Sequence, residues 1–298
     1  MDQQDALEVT HHTAEVNGLK THYVEVGKGP LVLLLHGFPE TWFAWRYQIP
    51  VLAQHYRVVA PDLRGYGHTF KAVEGYDKRT MAKDIRALME YLGCEKAAIV
   101  GHDRGARVGT RFCKDFPEAV DRFVAIDNIP TRIIFERMNA EIARGHWFFI
   151  FNGVLDLPEA LITGREEIWL RFIFSSWCYN PELFTPEELA VYVRAYQQHG
   201  ALRGAFADYR AAKKDVEQDQ EDKDALIACP TLVLWGEEFE SGGKMWDFRE
   251  IWNGMASHPE YVSIPQCGHL PHEEKPQEVN RALLSFLSPW KNAGASPP

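Results

Sequence analysis

The spacing of hydrophobic and polar positions changes character along this chain. Near the start, Thr21-His-Tyr-Val-Glu-Val alternates, which predicts an early strand paired antiparallel. The run 31–35 (LVLLL) is apolar throughout and stops at His36-Gly37. Continuous apolar runs of this length suit strands buried on both faces of a parallel sheet. The run 56–60 (YRVVA) is the next, closed by Pro61-Asp62. Apolar residues then recur at helical spacing over 80–92, at Met81, Ile85, Leu88, Met89 and Leu92, with Thr80 and Asp84 near the start. Strand-like 97–100 (AAIV) follows, then a helix over 104–116 ending at Pro117, then strand-like 123–126 (FVAI).

From about residue 131 the alternation stops. Up to about 223 the chain is rich in aromatics and reads as successive helices, among them 186–199. Strand pattern returns at 231–235 (TLVLW) and 260–264, and a last helix is expected over 276–286. Alternating strands and helices imply a mostly parallel, twisted α/β sheet flanked by helices on both faces. The middle block reads as an inserted helical cap. The expected organisation is a core of 1–130 and 223–298 with a cap of 131–222. A cap over the carboxyl ends of the strands would close the place where such sheets bind ligands.

Composition adds exclusions. Of 298 residues, 46% are hydrophobic and 25% charged, enough for a packed core. A net charge of −10 argues against nucleic acid or an anionic membrane as a partner. A small anion remains acceptable if arginines gather locally. No signal-peptide pattern and no spanning apolar run is visible, and the five cysteines are dispersed without C-x-x-C spacing. These features lead us to expect reduced thiols, a cytoplasmic location, no metal site and no cofactor.

The chemistry centres on Gly101-His102-Asp103-Arg104-Gly105, between a strand and a helix. This is the G-x-nucleophile-x-G form of a nucleophile elbow, with aspartate in place of the usual serine. An ordinary N-cap aspartate is the plainer alternative. A carboxylate can displace a leaving group from saturated carbon, giving an ester that activated water must then cleave. A base is therefore needed, and Gly268-His269-Leu270-Pro271 supplies His269 late in the chain, with His272 as a neighbouring decoy. The acid that orients His269 is Asp127, after FVAI, or Glu237 or Glu238, after TLVLW. Backbone N–H groups of Phe38, in His36-Gly37-Phe38-Pro39, and of Arg104 are the expected oxyanion donors.

HGFPETWFAW, PDLRGYGHT, GHDRGARV and the pair His146-Trp147 together resemble the fluoroacetate (haloacetate) dehalogenases of the α/β-hydrolase superfamily. The resemblance runs from about Val16 to Trp290. HGFP and GHDRG are shared with the wider superfamily, which includes epoxide hydrolases, whereas GHDRGARV with a cap His-Trp pair is more specific. It implies Asp103 as nucleophile, His269 as base and Asp127 as its acid partner. Arg104 and Arg107 would hold a substrate carboxylate; three residues apart at a helix start, they share a face. His146, Trp147 and Tyr209 would receive the leaving halide, with Tyr179 and Tyr192 competing for the tyrosine role. A homodimer and a small haloacid substrate are also implied. One departure stands out: many superfamily members have W-G-x-x-D after the TLVLW-like strand, whereas this chain has Trp235-Gly-Glu-Glu-Phe239.

Overall fold

The computed structural model describes residues 9–293. Eight strands form one sheet in the order β1-β2-β4-β3-β5-β6-β7-β8. They are β1 (Thr10–Val16), β2 (Leu19–Val26), β3 (Leu31–Leu35), β4 (Arg57–Pro61), β5 (Ala97–His102), β6 (Val120–Ile126), β7 (Thr231–Gly236) and β8 (Pro259–Ile264). The pairs β1–β2 and β2–β4 are antiparallel and all others parallel.

The continuous apolar runs have the cause expected of them. In β3, Leu31, Leu33 and Leu35 enter a core on one face of the sheet, while Val32 and Leu34 enter a core on the other. Truncating such a fully enclosed leucine to alanine costs about 2–5 kcal/mol. Polar β1 was not anticipated. Only Ala14 and Val16 of this edge strand are buried, so its pattern carries almost no apolar signal.

The expected helix over 80–92 begins slightly earlier, at Lys78, because Asp77 caps it and accepts from Thr80 N–H. Every element between β6 and β7 is a helix, from Thr131–Glu136 to Ala212–Glu221. This block lies over the carboxyl ends of β5, β6 and β7, where the strand-end residues Asp103 and Asp127 emerge. No helix among the described residues is long and apolar enough to cross a membrane.

Candidate active site

Asp103 is the only residue between β5 and the helix Arg104–Asp115, and its φ is +44°. A non-glycine residue in that region costs on the order of 1–3 kcal/mol, which the surroundings must hold in place. The flanking glycines permit the turn. A Cβ on Gly101 would sit 2.6 Å from Ala106 N, and one on Gly105 would run into the Leu35 carbonyl. The Asp103 carboxylate makes no capping hydrogen bond to its helix. Its Oδ1 is buried without a partner, aimed at a cavity rather than at the helix end.

His269 is brought to it from the loop after β8. Its Nε2 lies 4.0 Å from Asp103 Oδ2, and its Nδ1 lies 3.0 Å from Asp127 Oδ1. Asp127 also has a positive φ, +44°, and its Oδ2 accepts from Gly236 N–H at 3.0 Å. The three strand-end carboxylates left open by the sequence are thus separated. Glu238 instead faces Lys244, with its carboxylate 3.5 Å from Nζ, and Glu237 is exposed. The paired acid fixes the imidazole so that Nδ1 donates and Nε2 is left as the basic nitrogen.

The loop bearing Phe38 presses on the elbow: a Cβ on Gly37 would lie 2.7 Å from Asp103 Cβ. The loop is held by Glu40, which sequence reasoning missed. Its fully buried carboxylate accepts from Gly37 N–H at 2.8 Å and pairs with His102 Nδ1 at 2.8 Å and His272 Nε2 at 2.9 Å. His102 Nε2 in turn donates to the His269 carbonyl at 2.8 Å. Burial alone would lower the His102 pKa, but the Glu40 carboxylate raises it to about 9. The ligand atoms of Glu40, His102 and His272 lie within 4.8 Å of one another, the spacing of a metal site. They are already joined by hydrogen bonds, and what they form is a carboxylate–imidazole clamp on the loop bearing Phe38, the elbow and the loop bearing His269.

The two arginines are buried, not surface residues, but they differ. Arg104 is held by Asp208 of the helix Ala201–Arg210, with Nε–Oδ2 at 3.1 Å and a second nitrogen 2.5 Å from Oδ1. Burial would raise the Asp208 carboxyl, but Arg104 and Lys78 keep it below its usual range. Only Nη1 of Arg104 is left without a partner. Arg107 has no carboxylate partner among the described residues. One nitrogen donates to Thr131 Oγ1 at 2.6 Å, and its Nε is buried and unpartnered. Burial, and then Arg104, lower its pKa to about 10. It lines the Asp103 cavity directly.

Of the expected halide donors, His146 lines this cavity, whereas Trp147 and Tyr209 do not. Trp147 packs among Phe151, Trp169 and Phe172 in an outer groove. Burial lowers the His146 pKa to about 4, so the ring is neutral at pH 7. Its Nδ1 donates to the Ile142 carbonyl at 3.2 Å, which leaves Nε2 as an acceptor in this tautomer. Tyr209 has a buried hydroxyl with no partner. Burial and the Asp103 charge raise its pKa, so it stays protonated. Its competitors separate cleanly: Tyr192 donates to Glu273 at 2.5 Å, and Tyr179 is half exposed. Ile129, Ile134, Phe148, Phe149 and Phe239 complete an apolar wall that no motif had marked.

Residues 30–156 match the family model described as the alpha/beta hydrolase fold. The chain is 36% identical to a soluble epoxide hydrolase of Corynebacterium sp. (strain C12) over 96% of its length and all of that protein. It is 34% identical to a fluoroacetate dehalogenase of Burkholderia sp. over 92% of both chains. A solved structure of the epoxide hydrolase CorEH without ligand superposes with a TM-score of 0.90 at 35% identity, covering 95% of this chain and all of that one.

Proposed function

The chain belongs to the α/β-hydrolase family, and within it we propose that this hydrolase removes halogen from small 2-haloacids such as fluoroacetate. One observation carries the reading. Arg107, an arginine with no carboxylate partner among the described residues, shares a buried cavity with the free oxygen of Asp103. An uncompensated buried charge is costly and is best explained by an anion that arrives to pair with it. The cavity is small, about 20 Å³, which argues against a bulky substrate.

In this mechanism Arg107, with Nη1 of Arg104, holds the carboxylate. An Asp103 oxygen attacks the alpha carbon opposite the halogen, forming a C–O bond as the C–halogen bond breaks. The halide leaves with both bonding electrons, and the Tyr209 hydroxyl donates to it. His269 takes a proton from water, whose oxygen attacks the Asp103 ester carbonyl. Phe38 and Arg104 N–H groups stabilise the oxyanion. Collapse breaks the bond between the ester carbonyl carbon and the alkyl oxygen; that oxygen takes the proton held by His269 and leaves as glycolate, and the Asp103 carboxyl loses its proton to solvent, restoring the carboxylate.

A second reading has its own support. A protonated, unpartnered tyrosine beside an aspartate nucleophile also suits epoxide opening, the activity named for the Corynebacterium relative. Parallel assays of fluoride and glycolate from fluoroacetate, and of diol from styrene oxide, separate the two. Fluoride release with little diol is expected. Diol without halide release from any haloacetate sinks the haloacid reading.

A further inference from the structure

The Asp103 cavity, at about 20 Å³, has room for little more than one water-sized group. Substrate must enter through a wall that moves. Two outer grooves are candidates. One, of about 940 Å³, runs along the segment 68–77 and the helix Ala201–Arg210. It shares no lining residue with the cavity. The helix that floors it carries Asp208 and Tyr209 on its buried side, with Asp208 locked to Arg104 and Lys78. Opening there would break the ionic network.

The other groove, of about 340 Å³, lies between the helices Ala140–Gly145 and Glu166–Trp177 and the segment 239–245. It shares Phe239 and Ser241 with the cavity. The wall between them is therefore one side chain thick. Its ties are light. Ser241 Oγ donates to the Gly145 carbonyl at 2.7 Å, and the Phe239 ring leans on Trp177 and His269.

The rim of this second groove carries two basic residues, Arg144 and Lys244, beside two acidic ones, Glu141 and Glu240, in a chain of net charge −10. Lys244 is neutralised by Glu238 and Glu240. Arg144 is exposed on the rim and has no carboxylate within ion-pair distance among the described residues. Unpaired charge at a mouth concentrates ligands of opposite sign and does little to the bound state.

We propose that this groove is the entrance to Asp103, that Phe239 and the Ser241–Gly145 bond form its inner gate, and that Arg144 draws an anionic substrate to it. The role of Arg144 rests on the haloacid reading; the path does not.

Two experiments test it. Arg144→Glu should lower kcat/KM for bromoacetate about three- to tenfold at low ionic strength, through KM with kcat unchanged. The loss should fade near 1 M salt, where the screening length falls to about 3 Å. Arg203→Glu, on the rim of the larger groove, should leave kcat/KM as it was. Equal kcat/KM in Arg144→Glu and wild type overturns the steering, and a loss confined to Arg203→Glu overturns the path. In the second experiment, Ser176→Cys in the groove is labelled with a bulky thiol reagent. Turnover of whichever electrophile the wild type accepts, haloacetate or epoxide, should drop at least tenfold, while identically treated wild type keeps its rate. Undiminished turnover of the labelled variant overturns the entrance. A wild type that opens epoxides but releases no halide sinks the haloacid reading, and the labelling experiment still tests the path.

Discussion

The two halves of the site are built on opposite principles. On the sheet side, His269, Asp127, Glu40, His102 and His272 are joined in one hydrogen-bonded network, with only His272 Nδ1 and the neighbouring Asp103 Oδ1 left buried without a partner. On the side facing the inserted helices, Arg107 Nε, Arg104 Nη1 and the Tyr209 hydroxyl are buried with no partner at all. A satisfied network holds geometry, and an unsatisfied set costs stability until a ligand completes it. The sheet side is therefore suited to performing one reaction on many substrates, and the cap side to choosing among them.

Breaking the sheet side should cost most. Asp103→Ala should lower kcat by at least about 10⁴-fold, as loss of a nucleophile does elsewhere, without loss of fold by circular dichroism. His269→Ala should spare the first step and stop the second. Intact-mass measurement should then find the ester on the peptide carrying Asp103, with turnover reduced about 10³-fold or more. An ester-free protein with near-normal turnover would remove His269 from the mechanism.

Cap-side changes should be smaller and selective. Arg107→Met should lower kcat/KM for haloacetates about 10²- to 10³-fold, the loss of a charge-assisted contact of about 3–4 kcal/mol. The same variant should melt higher than wild type, because it removes an uncompensated buried charge. A lower Tm would show that the guanidinium is structurally paired and would undo the contrast between the halves. Tyr209→Phe should cost about ten- to a hundredfold in kcat with Tm nearly unchanged, since its hydroxyl bonds nothing in the free protein.

The sheet side was also the more legible in sequence, for a physical reason. Its turns need glycine locally, so Gly101, Gly105 and Gly268 announce Asp103 and His269 within a few residues of each. Asp127 and Glu238 were not separated by pattern because β6 and β7 are parallel neighbours whose carboxyl ends lie within two residues of one another. The positive φ of Asp127, which turns its carboxylate toward His269, leaves no sequence mark. The hairpin of β1 and β2 had a readable signal in Asn17-Gly18, both at positive φ, the turn chemistry that two-residue hairpins favour. On the cap side each partner is remote. Arg104 meets Asp208 across 104 positions, a spacing that repeats no pattern, and the same remoteness hid one sheet-side contact, where Glu40 meets His272 across 232. Trp147 turns outward although it is adjacent to His146, because His146 is the cap between two short helices and Trp147 is the first residue of the second.

The finest test concerns the clamp beneath the elbow. The His102 pKa is raised from 6.5 to about 9, chiefly by Glu40 against the opposing effect of burial, with Asp103 and Asp127 adding to the rise. A raised folded-state pKa contributes stability that is complete below pH 6.5 and is lost as pH climbs through 9, at up to about 1.4 kcal/mol per pH unit. Glu273, raised to about 8 mainly by burial, loses stability over the lower part of the same range. Lys71, lowered to about 8 by burial, gains relative stability above pH 8. The wild-type slope alone is therefore a composite, and the informative quantity is its difference from Glu40→Gln. In that variant the charge that holds the His102 proton is gone, so His102 is neutral across the window. The Tm of wild type should fall by several degrees more than that of Glu40→Gln between pH 6.5 and 9. Parallel melting curves would mean that Glu40 only fills space and that the sheet side owes its order to packing, not to the charge it encloses.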